Sequence, residues 1–266
     1  MRKGRSEKFL VQKLQKGDIS RFPDEVIVEE PLEIRLDGHL VATTMRTPGH
    51  DYELAVGFCV AENLLQKAPV TGVRYCGEGP AAEYEYNVVT VETGGQAPTP
   101  QARIGNVSSS CGLCGSLALT DLASRMAPVK DAVTFNVEVI QKVLGTVSEE
   151  QEMFARTGGL HAAAVFDSHG TVELLREDIG RHNAVDKVIG SRLLNGQQNS
   201  EQLGLFVSGR ASFEMVQKAW SGGFGTLVAV SAPSALAIDL AKAANMTLIG
   251  FARQDSMNLY AGRIDK

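Results

Sequence analysis

Two cysteines stand three residues apart in the run Ser108-Ser-Ser-Cys-Gly-Leu-Cys-Gly-Ser116. From Cys114 to Met126 the pattern is helical, with Leu117, Leu122 and Met126 on or near one face. A thiol at a helix N-terminus feels positive partial charge and free amide donors, so its pKa falls and more of it is nucleophilic thiolate. Gly112 and Gly115 leave both sulfurs accessible. Such a thiolate attacks a sulfur donor and holds the transferred atom as a persulfide, which a second cysteine relays or resolves. Other chemistries fit the same spacing. Zinc needs at least three ligands; there is no second Cys-x-x-Cys, and the nearest further candidate is His161. A redox pair is expected after the first strand of a βαβ unit, a pattern that does not surround this one. A structural pair is disfavoured by the two glycines. Taken alone, the cysteines choose none of these.

The other two cysteines, Cys59 and Cys76, sit singly among apolar or aromatic neighbours and read as buried structural thiols. Four cysteines in 266 residues without a secretion pattern make no disulfide framework, so the expected compartment is the cytoplasm. The net charge of −5 excludes bulk nucleic-acid binding, which needs a basic face. No stretch has the length or hydrophobicity of a membrane span. The first seventeen residues are basic (Arg2, Lys3, Arg5, Lys8, Lys13 and Lys16 against Glu7) and read as a solvated, frayed terminus.

The elements that must position the chemistry fall into two groups. From Leu203 the chain alternates strand and helix: strands Leu203–Val207, Thr226–Val230 and Thr247–Ala252, helices Phe213–Trp220 and Ala235–Ala244. That order predicts right-handed crossovers and a parallel sheet. In such a sheet ligands bind beyond the carboxyl ends of the strands. Those ends carry Ser208-Gly209-Arg210 with Ser212, then Ser231-Ala-Pro-Ser234, then Arg253 leading into Gln254-Asp255-Ser256. Small residues admit a ligand to the backbone, helix N-termini offer N–H donors, and arginine forks onto phosphate oxygens. Any one such turn is ordinary capping chemistry; three on one edge with two arginines form a phosphate or nucleotide cradle.

Upstream, His161–Asp167 and Thr171–Arg176 read as a hairpin, and Val137 to Val147 repeats at helical spacing. Between them and the parallel strands lies Arg176-Glu-Asp-Ile-Gly-Arg-His-Asn-Ala-Val-Asp-Lys187. Seven titratable side chains in twelve residues describe either a solvated surface helix or a site in which Arg181 and His182 contact a ligand. Gly180 would permit an unusual backbone angle and Asn183 would cap the next helix, sharing a face with Lys187. The N-terminal part differs. Val26–Leu36 and His39–Met45 flank an Asp37-Gly38 hairpin turn, Asp51 caps an apolar helix over Leu54–Leu65, and Val70–Cys76 and Tyr84–Glu92 are strands. The expectation is an α+β unit of β-grasp type over 1–105, a linker within Thr93–Gln101, and an α/β domain over 106–266.

Along most of its length, from Glu30-Pro-Leu onward, the chain resembles the FdhD family of formate dehydrogenase accessory sulfurtransferases. The markers are Met45-Arg-Thr-Pro-Gly, Cys111-Gly-Leu-Cys-Gly, Thr157-Gly-Gly-Leu-His-Ala-Ala-Ala, Arg176 to Lys187, Ser208-Gly-Arg-Ala-Ser-Phe-Glu, Val230-Ser-Ala-Pro-Ser and Gly250-Phe-Ala-Arg, in that order. The resemblance implies a cytidine-deaminase-like α/β/α C-terminal domain beside a smaller N-terminal one, in a homodimer. It implies a sulfur carrier that accepts sulfur from a cysteine desulfurase and passes it to molybdenum bis-molybdopterin guanine dinucleotide for formate dehydrogenase. Cys111 would bear the persulfide with Cys114 assisting, and Phe251, Ala252, Arg253, Gln254, Asp255 and Ser256 would contact that cargo. A guanine nucleotide such as GDP would occupy the same place, and no metal of the protein's own is implied. A chaperone that binds the cofactor without sulfur chemistry is the alternative. Zinc deaminases carry H-x-E followed by P-C-x-x-C; here His161-Ala-Ala lacks the glutamate and the cysteine pair precedes the histidine, which disfavours deamination.

Overall fold

The structure is a computed structural model that describes residues 4–76, 86–100, 126–130, 132–197 and 200–265. Its first element overturns the expectation of a frayed terminus. Strands β1 (Ser6–Gln15) and β2 (Asp18–Ile27) pair antiparallel along their whole length. The two-residue turn between them has positive φ at Lys16 and Gly17, which suits the right-handed twist of a hairpin. The polar residues that interrupt the apolar pattern fall on both faces of an exposed ribbon, Lys13 on that of Phe9 and Val11, Gln12 on that of Leu10 and Leu14. The expected single strand over Val26–Leu36 breaks at residues 28–29, where Val28 donates its N–H to the Arg5 carbonyl at 2.9 Å.

Asp37-Gly38 turns as its type predicts, with φ of 47° and 86°, and joins β3 (Glu30–Leu36) to β4 (His39–Arg46). Helix α1 (Asp51–Ala61) follows, then β5 (Gly72–Tyr75) and β6 (Val88–Glu92). The sheet order is β4-β3-β6-β5, with β3 and β6 parallel at its centre. This is the β-grasp arrangement: a hairpin, a helix, and a last strand returning beside the first. Leu32, Ile34 and Leu36 pack with Val89 and Val91 against Leu54, Ala55 and Cys59 of α1. Asp51 is not a cap. The residue before the helix is His50, in a left-handed conformation with no side-chain cap bond. The Asp51 carboxylate is drawn inward by the buried Arg46 guanidinium, at 3.0 and 2.9 Å.

The rest of the chain builds a six-stranded sheet. Its elements are α2 (Val137–Glu150), α3 (Glu152–Thr157), β7 (His161–Phe166), β8 (Val172–Asp178), α4 (Arg181–Leu194), β9 (Gly204–Val207), α5 (Phe213–Ser221), β10 (Thr226–Ala229), α6 (Ala235–Ala243), β11 (Thr247–Gly250) and β12 (Asn258–Ala261). The order is β12-β11-β10-β9-β7-β8; β9, β10 and β11 run parallel, and β7 runs against β9. Strand alternation splits the apolar residues between two faces. Ala163, Val165, Leu205, Leu227 and Leu248 meet α4, α5 and α6 through Val185, Met215 and Leu240. Ala164, Phe166, Phe206, Val228 and Ile249 meet α2 through Ile140, Val143 and Val147. Three layers and this strand order give the expected cytidine-deaminase-like α/β/α fold. Among the described residues no helix is long and apolar enough to cross a membrane.

The β-grasp unit meets the α/β layers where α1 crosses α4, backbone against backbone. A Cβ on Gly57 would fall on the Asp186 carbonyl and lie 2.9 Å from the Asp186 Cα. One on Gly190 would fall on the Glu53 carbonyl and lie 2.7 Å from the Gly57 nitrogen. Only glycine fits at either position.

Candidate functional site

The parallel strands carry their three end loops to one edge, and the loops are laced together. The Gly209 carbonyl accepts from Ser231 N–H at 3.2 Å, and the Ser231 carbonyl accepts from Phe251 N–H at 3.2 Å. Ala211 and Pro233 form a further bridge between the first two. Ser208, Gly209, Arg210, Ser231 and the loop from Phe251 to Ser256 therefore line one continuous ledge. Phe251 holds φ at 50° with its ring exposed, an uncommon state for a bulky residue that costs conformational energy. The loop behind it is pinned, since Arg253 N–H donates to the Ser256 carbonyl at 2.8 Å and Gln141 on α2 donates to the Gln254 carbonyl at 2.6 Å. Ala252 is buried beneath it, whereas Gln254, Asp255 and Ser256 are exposed.

The arginines do not act alike. Arg253 was expected to fork onto phosphate, but its Nη1 donates to the carbonyls of Ala252, at 2.9 Å, and Val230. It clamps the second and third loops together. Arg210 is exposed at the rim. Arg181, the first residue of α4, sits against Gly209, where an added Cβ would be 3.4 Å from its Cδ. The Arg181 Nε is buried with no hydrogen-bond partner among the described residues, and so is the Ser212 Oγ of the first loop. Buried polar atoms of this kind carry a cost unless something accepts or donates to them.

Two histidines complete the corner. Ser208 Oγ accepts from Ala162 N–H at 2.9 Å and lies 3.3 Å from His161 Nδ1. Burial first, then the neighbouring Arg181 and His182, pulls the His161 pKa below its ordinary value, which favours the uncharged ring. His182 Nε2 lies 2.6 Å from Glu214 Oε2, in the first turn of α5. His161 entered the sequence reading only as a zinc candidate. Among the described residues no three His, Cys, Asp or Glu side chains are arranged to hold a metal ion. Glu214 was visible in sequence only as the last residue of the Ser208-to-Glu214 run.

The titratable run from Arg176 to Lys187 divides between structure and site. Arg176 grips Glu53 of α1 through two nitrogens, at 2.5 and 2.7 Å. Glu177 accepts from the N–H groups of Met153 and Phe154, satisfying the start of α3. Asp178 and Lys187, both fully buried, pair at 2.6 Å, and Lys187 also donates to the Thr47 carbonyl. Asp178 further accepts from Thr47 N–H, Gly180 N–H and Asn183 Nδ2. Asn183 is thus inside the helix and caps nothing, although it shares a face with Lys187 as expected. Gly180 has an ordinary φ of −94°, and its small size matters instead: a Cβ there would be 2.8 Å from Asn183 Nδ2. Asp186 is paired with Lys218 at 2.7 Å, and burial still pushes its carboxyl up to about 6. Of the whole run, Arg181 and His182 are the residues turned toward the ledge.

Burial works to raise the Glu53 pKa, but hydrogen bonds from Arg176 and His50 outweigh it and hold the carboxyl down at about 2. A depressed carboxylate stabilises the fold above its unfolded pKa, near 4.5, and that stabilisation is lost as pH falls toward 2. The shift corresponds to ~3 kcal/mol, and solvent screening of this partly exposed pair reduces the loss we expect over the window to about 2 kcal/mol. Denaturant titrations at neutral pH and near pH 3 should show a smaller acid loss in Glu53→Gln than in the unaltered protein, and equal losses would contradict this assignment.

Cys59 is fully buried, and burial pushes its thiol up to about 12, so it is inert. Cys76 is only half-buried, with Sγ 3.4 Å from Thr90 Oγ1, which corrects the expectation of burial. Cys111, Cys114 and the helix expected after them lie outside the described residues.

Comparison with known proteins follows the same outline. The sequence profile of the FdhD/NarQ family matches residues 27–265. A sulfur carrier protein FdhD from Streptomyces coelicolor is 43% identical over 265 residues, covering 97% of this chain and 94% of its own. Its counterpart in Nocardia farcinica is 46% identical over 251 residues, covering 92% and 89%, and that in Mycobacterium tuberculosis is 45% identical over 260 residues, covering 94% of each. A crystal structure from Desulfotalea psychrophila, provisionally assigned as a formate dehydrogenase accessory protein, superposes with a TM-score of 0.76 at 22% identity, covering 97% of both chains.

Proposed function

Because the chain belongs to the FdhD/NarQ family, we propose that it carries sulfur from a cysteine desulfurase to molybdenum bis-molybdopterin guanine dinucleotide, the cargo destined for formate dehydrogenase, in the cytoplasm. Cys111 takes the sulfur. Its thiolate attacks the outer sulfur of the donor's persulfide, a new S–S bond forms, the donor's S–S bond breaks, and the donor thiolate leaves with the proton Cys111 gave up. Nothing is oxidised or reduced overall, and Cys111 is left as the persulfide. Cys114 assists in holding or releasing the sulfur.

The observation that carries the cargo half of this reading is the ledge. Ser208, Gly209, Ser231 and Phe251 are held side by side by backbone bonds, next to the Arg181 Nε and Ser212 Oγ, which have no partner among the described residues. These are donors awaiting an oxygen-rich ligand, and a nucleotide phosphate suits them. The His182–Glu214 pair fixes the start of α4 against α5 so that Arg181 stays aimed at the ledge. The neutral His161, next to Ser208, offers a hydrogen bond without adding charge.

GDP serves as the probe of this site. Calorimetry should show it binding the purified protein, and Arg181→Ala should weaken it roughly tenfold, the cost of one charge-assisted hydrogen bond. No binding to the unaltered protein, or equal binding by Arg181→Ala, would overturn the placement. Tight GDP binding with unreactive cysteines would instead favour a cofactor chaperone that does no sulfur chemistry.

A further inference from the structure

His161 and Ser208 form a polar pair at one corner of the ledge. The ring lies where β7 begins, opposite Asp178 on β8. Its Nδ1 is 3.3 Å from Ser208 Oγ, and that same oxygen accepts the Ala162 N–H at 2.9 Å. Gly209 brings Arg181 beside the ring: a Cβ there would lie 3.4 Å from Arg181 Cδ and 3.7 Å from His161 Nδ1. The charged groups facing His161 are Arg181 and His182 at the start of α4 and Asp178 at the end of β8, with Glu214 behind His182 and Arg210 at the rim. Both carboxylates are already engaged. Asp178 holds Lys187 at 2.6 Å and accepts from three further donors, and Glu214 stands 2.6 Å from His182. His161 is left with a neutral hydroxyl as its close polar neighbour and an arginine beside it. Burial and that arginine disfavour a proton on the ring, and a bound anion would reverse the second of these effects.

On the reading of the ledge as a phosphate site, we infer that His161 takes up a proton from solvent when the phosphate binds, and that Ser208 turns its hydroxyl to the ligand in the same step. The hydrogen-bonding capacity of the pair links the two events. A serine hydroxyl has one proton and two lone pairs, and each imidazole nitrogen either donates or accepts. One Ser208 lone pair is taken by the Ala162 N–H. Beside a neutral ring the hydroxyl donates its proton to Nδ1. Once the ring is protonated, Nδ1–H donates to the second lone pair, and the hydroxyl proton is released for a phosphate oxygen. One proton thus gives the ligand both a positive charge nearby and a hydroxyl donor. The phosphate is drawn to this corner by the buried Arg181 Nε and Ser212 Oγ, which have no partner among the described residues. An opposite charge within ~4–6 Å favours the protonated ring by about tenfold or more. The ring is neutral before the phosphate arrives and cationic beside it. Affinity therefore rises as pH falls through this window, and levels off once the free ring is protonated as well.

GDP-mannose is the probe. Its pyrophosphate is a diester, as in any dinucleotide, and lacks the second ionisation near about pH 6 that a terminal phosphate has. Any proton change on binding therefore belongs to the protein. Calorimetry of the full chain at about pH 6.5, in two buffers of different ionisation enthalpy, neither a phosphate, should show uptake of roughly half a proton per nucleotide. The affinity should rise roughly five- to tenfold between about pH 8 and about pH 5.5. His161→Gln, which cannot take the proton, should abolish the uptake and flatten the profile to within about twofold. His182→Gln should retain the uptake. Binding to the unaltered protein without proton uptake would overturn this inference alone, whether or not the variants fold. So would uptake that survives in His161→Gln or that is lost only in His182→Gln. No binding of either GDP or GDP-mannose would overturn it together with the placement of the cargo.

Discussion

Gly190→Ala should cost more than 3 kcal/mol of stability, in a fold whose total margin is on the order of 10 kcal/mol. A methyl group at this position falls on the Glu53 carbonyl and 2.7 Å from the Gly57 nitrogen. These are backbone atoms of α1, so no side chain can rotate away. The helices must separate by about 1.5 Å or more to bring the methyl to contact distance, a shift far beyond what close-packed interiors absorb. Separation also pulls on the bonds that cross the same junction. Arg176 is held to Glu53, Lys187 to the Thr47 carbonyl, and Asn183 to the Met45 carbonyl. Alanine's better helix propensity returns only about 1 kcal/mol. Gly57→Ala should behave alike, since its methyl falls on the Asp186 carbonyl. Urea titration followed by circular dichroism reads the loss directly, and a change under 1 kcal/mol would mean the helices are not in backbone contact. The same variants should lose GDP affinity, because Asp186 and Gly190 belong to the helix that begins with Arg181.

Much of the ledge was legible because its logic is local. Short runs such as Leu203–Val207 and Thr226–Val230, each followed by Ser, Gly or Pro and then a helical pattern, specify parallel strands. Parallel strands specify where their ends lie. Asp37-Gly38 specified its own turn, since few other residue pairs accept two positive φ angles. What failed depended on partners distant in sequence. Asp51 has every property of a helix cap, but Arg46 folds under it and draws the carboxylate into the core. Arg253 has the position of a phosphate ligand, but its Nη1 is taken up by the carbonyls of Val230 and of its own neighbour Ala252. The run from Arg176 to Lys187 looked solvated because charges are normally at the surface. Here the matching groups arrive from Glu53, Thr47 and Lys218, none of which the local pattern indicates. The ribbon was missed for the opposite reason: its apolar residues face solvent, so no burial period marks them.

Sulfur carriage by Cys111 is the central claim, and it predicts the other large effect. The reasons lie in chemistry. The Cys111-Gly-Leu-Cys114 pair stands before a helical pattern, where a thiol is most readily ionised, and glycines keep it open. Cys59 cannot substitute, because burial holds its thiol protonated and out of reach. Cys76 is half-buried against Thr90 and lacks a neighbouring thiol in sequence to relay sulfur. The direct measurement is the intact mass of the protein after incubation with a cysteine desulfurase and cysteine. The unaltered chain should gain ~32 Da per sulfur atom acquired, and Cys111→Ala should gain none. The same mass gain in Cys111→Ala would contradict the account.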